Sequence, residues 1–256
     1  QGLLELAGLP YVGSGVLGSA VAMDKVMMKR AFAACGLPQA RYLELRDGGD
    51  RDGVARAAFA ARVVAELGLP AFVKPANMGS SVGVAKAHDR SELDAAISIA
   101  FDYDEWCLAE EAVVGREIEV AVLGDDPPEA SVPGEIVPGD EFYSYADKYE
   151  RGEAQLLVPA PLSPSLAAEV GALATRAFEA CRCEAMARVD FFFEDGPRGR
   201  GFLVNELNTI PGFTPISMYP KLWEESGVSY AQLLDRLIEL ALARHERRTR
   251  RAGRQR

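Results

Sequence analysis

Two runs near residue 200 constrain the fold more than any other part of the chain. Met186 to Glu194 and Phe202 to Asn208 are strand-like, and the Gly-, Pro- and Asp-rich residues 195–201 between them suit a hairpin connection. Side chains alternate along a strand, so Arg188 and Asp190 share one face while Val189, Phe191 and Phe193 share the other. Glu206 and Asn208 share a face of the second run in the same way. A hairpin centred on Arg198 sets Asp190 opposite Glu206 and Arg188 opposite Asn208. Directly opposed side chains lie about 5 Å apart at Cβ, and two carboxylates that close repel unless a cation or a proton lies between them. Asp, Glu and Asn are hard oxygen ligands of the kind that hold magnesium together with phosphates. The competing reading from geometry alone is a solvated polar face with Arg188 bridging the acids, because a bulge would slip the register. Directly beyond lies the small-residue loop Thr209 to Pro215, whose backbone N–H groups are available to an oxyanion.

Around this hairpin the patterning mixes helices and strands without a regular alternation. Asp24 is a cap for a helix through Met28, Ala31 and Phe32 that stops at Gly36-Leu37-Pro38. Ser91 to Asp94 resembles a capping box, ahead of Leu93, Ala96, Ile97, Ala100 and Phe101 at helical spacing. Ser163-Pro164 opens a helix with Val170, Leu173, Ala177 and Cys181 on one face, and Ser229 to Gln232 opens a last one. Further strands are predicted over Ala71 to Pro75 and Ile118 to Leu123. The sum is an α+β fold with antiparallel sheets. The polar segment from Gly134 to Glu153 reads as a long loop, and long loops in compact domains are often functional.

Charge and rare residues exclude several chemistries. The tail from Arg244 to Arg256 holds seven arginines and one glutamate, so the rest of the chain carries −16 of a net −10. An acidic body argues against nucleic acid as the main partner, and the tail, lacking apolar periodicity, reads as a frayed, solvated end. Cys35, Cys107, Cys181 and Cys183 contain no C-x-x-C pair, and His88 and His245 stand alone, which argues against zinc and against a Ser-His-Asp triad. No apolar run approaches a membrane span and no signal peptide is visible, so a cytoplasmic protein is expected. The chain opens at Gln1 inside an amphipathic pattern of Leu3, Leu4 and Leu6, which predicts an upstream segment.

Phe72-Val73-Lys74-Pro75 is followed by the loop Ala76 to Gly83, containing Gly79-Ser80-Ser81. A strand ending in lysine with a Gly/Ser loop behind it offers N–H groups, two hydroxyls and an ammonium to a phosphate. It is not a P-loop, since no Gly-Lys-Ser/Thr occurs. Gly13-Ser14-Gly15-Val16-Leu17-Gly18 matches a dinucleotide pattern, but the strand before it contains Pro10, and after Asp24 no acidic residue stands until Glu44, later than the ribose-binding position would fall. Those glycines read as a hinge.

Taken together, Gln1 to Gly13, Met23-Asp24-Lys25, the Lys74 and Gly79-Ser80-Ser81-Val82-Gly83 segment, Arg188-Val189-Asp190 and Asn205 to Gly212 closely resemble the D-alanine–D-alanine ligases. The resemblance runs in order from Gln1 to about Ala243. It implies an ATP-grasp fold, in which two α+β subdomains with antiparallel sheets clamp ATP between them. It implies residues 1–13 as the end of an N-terminal domain, 14–113 and 114–243 as the two subdomains, 134–153 as a mobile loop, and 244–256 as a disordered tail. The implied reaction is ATP-dependent joining of two D-alanines through a D-alanyl phosphate, for peptidoglycan synthesis. Lys25 and Lys74 would contact ATP phosphates, with Ser80 and Ser81 folding over them. Glu110 and the backbone near Val113 would meet the adenine, and Glu117 the ribose. Asp190, Glu206 and Asn208 would hold two magnesium ions, with manganese as a substitute. Arg188 and the Gly212 N–H would stabilise the tetrahedral intermediate, and Ser217 would hold the carboxylate of the second D-alanine.

In the resemblance Tyr143, Lys148 and Tyr149 belong to the mobile loop, where Lys148 reaches the γ-phosphate and Tyr149 hydrogen-bonds to Ser80. Relatives that make D-alanyl-D-lactate carry Phe or a different loop at Tyr149, which favours D-alanine as second substrate. Glu111 departs from the lysine of many relatives, so the adenine contact there is expected from backbone alone. The family's N-terminal domain, which completes the first D-alanine pocket and much of a homodimer contact, lies outside this sequence. The alternatives are a non-catalytic nucleotide-binding fragment, or a ligase using D-lactate or D-serine.

Overall fold

Alternation of apolar and polar residues is what builds the larger of two sheets. The computed structural model describes residues 1–48, 53–137, 155–214 and 217–252. In chain order these form α1 (Gly2–Leu6), α2 (Val16–Met23), α3 (Lys25–Ala34), β1 (Tyr42–Arg46), α4 (Gly53–Arg62), β2 (Ala71–Pro75), β3 (Ala85–Ala87) and α5 (Arg90–Tyr103). There follow β4 (Trp106–Glu111), β5 (Arg116–Gly124), β6 (Glu129–Ala130), β7 (Gly134–Val137), β8 (Gln155–Leu157), α6 (Pro164–Ala180), β9 (Ala185–Glu194), β10 (Gly201–Asn208), α7 (Met218–Glu225) and α8 (Tyr230–Ala252). Among the described residues one sheet has the order β1-β4-β2-β3 and the other β10-β9-β5-β7-β8, with β6 on β5. All these pairings are antiparallel, so the α+β architecture is as expected.

In the larger sheet Ile118, Val120, Val189, Phe191, Phe193, Phe202, Val204 and Leu207 share a core with Val170, Ala174, Ala177 and Phe178 of α6 and Met28 and Phe32 of α3. In the smaller sheet Ala71, Val73, Cys107 and Ala109 pack on Leu93, Ala96, Ile97 and Ala100 of α5. The second face of the larger sheet packs at Ala121, Leu123, Ala185 and Met186 on α7 and α8, and what is left over of it, with the second face of the smaller sheet, carries the polar residues discussed below.

The β9–β10 register bears out the hairpin reading where it matters: Glu206 lies opposite Asp190 and Asn208 opposite Arg188. Nearer the turn the partners are Gly201 with Glu194 and Val204 with Phe191, so the count changes by one at Asn205. That residue is a β-bulge, two residues on β10 facing one on β9. The core-facing residues accordingly change from Phe202 and Val204 to Leu207 across it.

Helix ends follow their caps. Asp24 accepts the Met27 N–H at 2.9 Å to start α3, Ser163 accepts the Leu166 N–H at the start of α6, and Ser229 and Gln232 form a reciprocal box before α8. Two sequence expectations are corrected. The cap of α5 is Asp89, not Ser91: Asp89 accepts the Glu92 N–H, and Glu92 reaches back to the His88 N–H at 2.8 Å. Starting two residues earlier places glutamate at the third helical position, where it can close the box. Residues 134–137 of the expected loop form β7 on β5, because Glu135 is drawn into a fork with Arg116 at 2.7–2.8 Å.

The arginine-rich end is the third correction. Residues 244–252 continue α8 instead of fraying. Arg244 is 4% exposed; its guanidinium donates to the Gly13 and Tyr11 carbonyls and stacks on the Tyr11 ring at 4.3 Å. Arg247 pairs with Asp125, and Arg248 with Glu5 and Glu184. These three charges, which looked solvated, have acidic and carbonyl partners far away in sequence.

Candidate functional site

The leftover faces of the two sheets meet across a cleft of about 560 Å3. On the larger sheet three carboxylates lie in one row across neighbouring strands, Glu119 of β5 opposite Asp190 of β9 opposite Glu206 of β10. Arg188, one step along β9, forks onto Asp190 at 2.7 and 2.8 Å and lies 3.2 Å from Glu119. Burial opposes its charge, but Asp190 and Glu119 outweigh that and hold the guanidinium firmly protonated. Asn208 donates its side-chain amide to Asp190 at 3.0 Å.

On the smaller sheet Lys74 and Glu110 share the cleft face, since Phe72 pairs with Glu110 and Lys74 with Leu108. Glu110 is 3% exposed and ion-paired to both Lys74 and Lys29. Burial alone would raise its pKa, but the two ammonium groups pull the carboxyl down to about 2. Burial likewise disfavours the Lys74 charge, and Glu110 reverses that and leaves its pKa raised. Lys25, at the start of α3, donates through its side chain to the Met78 carbonyl and through its backbone to the Ala76 carbonyl at 3.0 Å. Burial pushes its pKa down, and the Glu206 charge opposes that across the cleft.

The Gly/Ser loop has an unusual backbone conformation. Ser80 and Ser81 have φ of 53° and 60°, a left-handed region that costs of order 1 kcal/mol or more for each non-glycine residue. Two anchors hold this arrangement. Asp104 accepts the Asn77 N–H at 2.7 Å and its side-chain amide at 2.9 Å, and Gly83 lies so close to Tyr103 that a Cβ would come within 2.8 Å of the ring.

Lys25, Lys74, Ser80, Ser81, Glu110, Val113, Glu117, Arg188, Asp190 and Glu206 all line the one cleft. Asn208 touches it through Asp190 and does not line it. Gly212 and Ser217 adjoin each other beyond it; a Cβ on Gly212 would sit 2.9 Å from the Ser217 hydroxyl, which contacts Thr214. Tyr143, Lys148 and Tyr149 lie outside the described residues. Glu111 is occupied by Arg41 and Arg200. Sequence reasoning missed Lys29 and Glu119. Lys29 is one helical turn from Lys25 and Glu119 two residues from Glu117, so face-sharing alone would have found both.

The donor set fits a divalent cation bound together with phosphates. Two opposed carboxylates and an amide oxygen match magnesium, which keeps few protein ligands and takes the rest from phosphate and water. Among the described residues no group of three or more His, Cys, Asp and Glu side chains is placed to hold a metal ion by itself. No helix among them is long and apolar enough to cross a membrane.

A family profile described as "D-ala D-ala ligase C-terminus" matches residues 31–239. A D-alanine–D-alanine ligase of Geobacillus thermodenitrificans is 50% identical over 252 residues, covering 96% of this chain and 66% of the relative. One of Solibacter usitatus is 50% identical over 248 residues, covering 97% and 73%. Among solved structures, the D-alanine–D-alanine ligase from Coxiella burnetii superposes with a TM-score of 0.82 at 39% identity, covering 98% of this chain and 66% of that one. The VanG D-Ala:D-Ser ligase from Enterococcus faecalis has a TM-score of 0.82 at 34% identity, covering 94% and 67%. The chain thus spans about two thirds of the length of these relatives.

Proposed function

Because the chain belongs to the D-alanine–D-alanine ligase family, we propose that it binds ATP between its two sheets to join two D-alanines. The observation that carries this reading is the opposition of charges across the cleft, with Lys25, Lys74 and the Ser80-Ser81 loop facing the Glu119-Asp190-Glu206 row. Lys25, Lys74 and the loop N–H groups would hold the phosphates, and Glu117, Val113 and the β4 backbone at Glu110 the nucleoside end. Asp190, Glu206 and Asn208 would hold magnesium, which supplies positive charge against the crowded phosphate oxygens.

In the first step a carboxylate oxygen of one D-alanine attacks the γ-phosphorus, and ADP leaves with the bond's electrons. In the second the amine of the other D-alanine attacks the acyl carbon; phosphate leaves and the amine loses its proton. The negative charge that builds on the carbonyl oxygen between those events would be met by Arg188 and the Gly212 N–H. Arg188 suits that task because it stays protonated and is held in plane by two carboxylates. Ser217 would orient the second D-alanine's carboxylate. Lys148, Tyr143 and Tyr149 would close over the site, excluding water that would hydrolyse the acyl phosphate. Tyr149 also favours an amine over D-lactate as the second substrate. The same reading makes the protein a cytoplasmic homodimer, checked by sedimentation.

Phosphate release should require ATP, magnesium and D-alanine together, and Asp190→Asn should abolish it. Turnover unaffected by Asp190→Asn would remove the metal assignment. ATP binding without D-alanine-dependent release would favour a nucleotide-binding fragment instead.

A further inference from the structure

Lys29 is a buried ammonium with no place in the reaction described above. It lies one turn after Lys25 on α3 and is 1% exposed, and it does not line the cleft. Charge at such depth is costly unless it is paired. Its partner is Glu110, whose other oxygen holds Lys74, and the Tyr42 ring lies 5.6 Å from the ammonium. The three groups form a line from the protein interior to the cleft, and only the Lys74 end, 15% exposed, reaches water.

The charge balance of that line matters for phosphate. Lys74 with Glu110 alone would be a neutral pair, and a carboxylate directly behind the ammonium would cancel much of its pull on an anion. With Lys29 behind it, Glu110 is neutralised from the interior side and the line carries +1. Lys29 is sealed from solvent, so the uncompensated charge is presented at the Lys74 end. Within a low-dielectric interior such a contribution is screened far less than a surface charge.

We propose that Lys29 is a positioning residue for the nucleotide phosphates: it neutralises Glu110 from behind, so that Glu110 orients Lys74 without cancelling its charge. This rests on the reading that ATP occupies the cleft. The test measures ATP and adenosine affinities of the 256-residue chain with magnesium and without D-alanine. Lys29→Met should weaken ATP by about tenfold or more while adenosine changes by less than about twofold, because only the former carries the charge. Lys29→Arg should bind both like the wild type. Lys29→Met combined with Glu110→Gln, which restores the +1 but gives up the carboxylate that orients Lys74, should bind ATP more tightly than Lys29→Met alone and less tightly than the wild type. Equal loss of ATP and adenosine in Lys29→Met would reduce the residue to a packing role and overturn the proposal, as would an unchanged ATP affinity. If Lys29→Met does not fold, ATP binding weakened about tenfold in the folded Lys29→Arg, with its charge retained, overturns it instead. A wild-type chain that binds no ATP would refute the cleft reading rather than the role of Lys29.

Discussion

Glu110 is a carboxylate with almost no water and two ammonium partners, Lys29 and Lys74. Its burial would favour the protonated acid, but the two cations depress its pKa from an ordinary 4.5 to about 2. A carboxyl depressed in the folded state stabilises the fold above its unfolded pKa and loses that contribution as pH falls through the folded one. The stabilising effect is thus complete above about pH 4.5 and declines between there and about pH 2. Thermal melts of the wild type and Glu110→Gln across that range should converge as pH falls; parallel curves would show that Glu110 is not depressed. The sequence made Asp190, Glu206 and Arg188 legible because parity along strands depends only on counting. It did not make the Glu110 ion pairs legible, because they join α3, β2 and β4, and nothing local in any of the three names the other two.

Helices capped by local side chains were readable at the level of elements, and α3, α6 and α8 begin where Asp24, Ser163 and Ser229 require. Strand β4 was not, since Cys107, Leu108 and Ala109 are all buried between β1 and β2 and show no alternation. The continuation of α8 was misjudged for a different reason: its stabilising partners are Tyr11, Gly13, Glu5 and Asp125. Truncating Arg244 removes donors from two backbone carbonyls and leaves Glu184 short of a partner. Arg244→Ala should therefore lower unfolding stability by about 2–4 kcal/mol in urea titration. Arg250→Ala, whose side chain is 74% exposed, should stay within about 0.5 kcal/mol. Equal effects would mean that the end of α8 is not docked.

For the molecule as a whole, α3 joins the two sheets. Met28 and Phe32 belong to the core of the larger sheet, while Val26 packs with Ala76 and Leu108 of the smaller. A nucleotide gripped from both sides should therefore report on global unfolding. ATP with magnesium at about 100 times its Kd should add about 2.7 kcal/mol of stability. Chelating the magnesium should remove much of that gain, and a shift indifferent to chelation would separate the carboxylate row from the nucleotide. Beside that row lies the bulge at Asn205. A regular strand surrenders every second side chain to the core, which caps how densely chemistry can be written along it. By doubling back for one residue, β10 presents Asn205 and Glu206 consecutively to the cleft. Deleting Asn205 would leave Glu206 still opposite Asp190 in an unbroken ladder. The irregularity is therefore an added letter in the site's text rather than the device that keeps its reading frame.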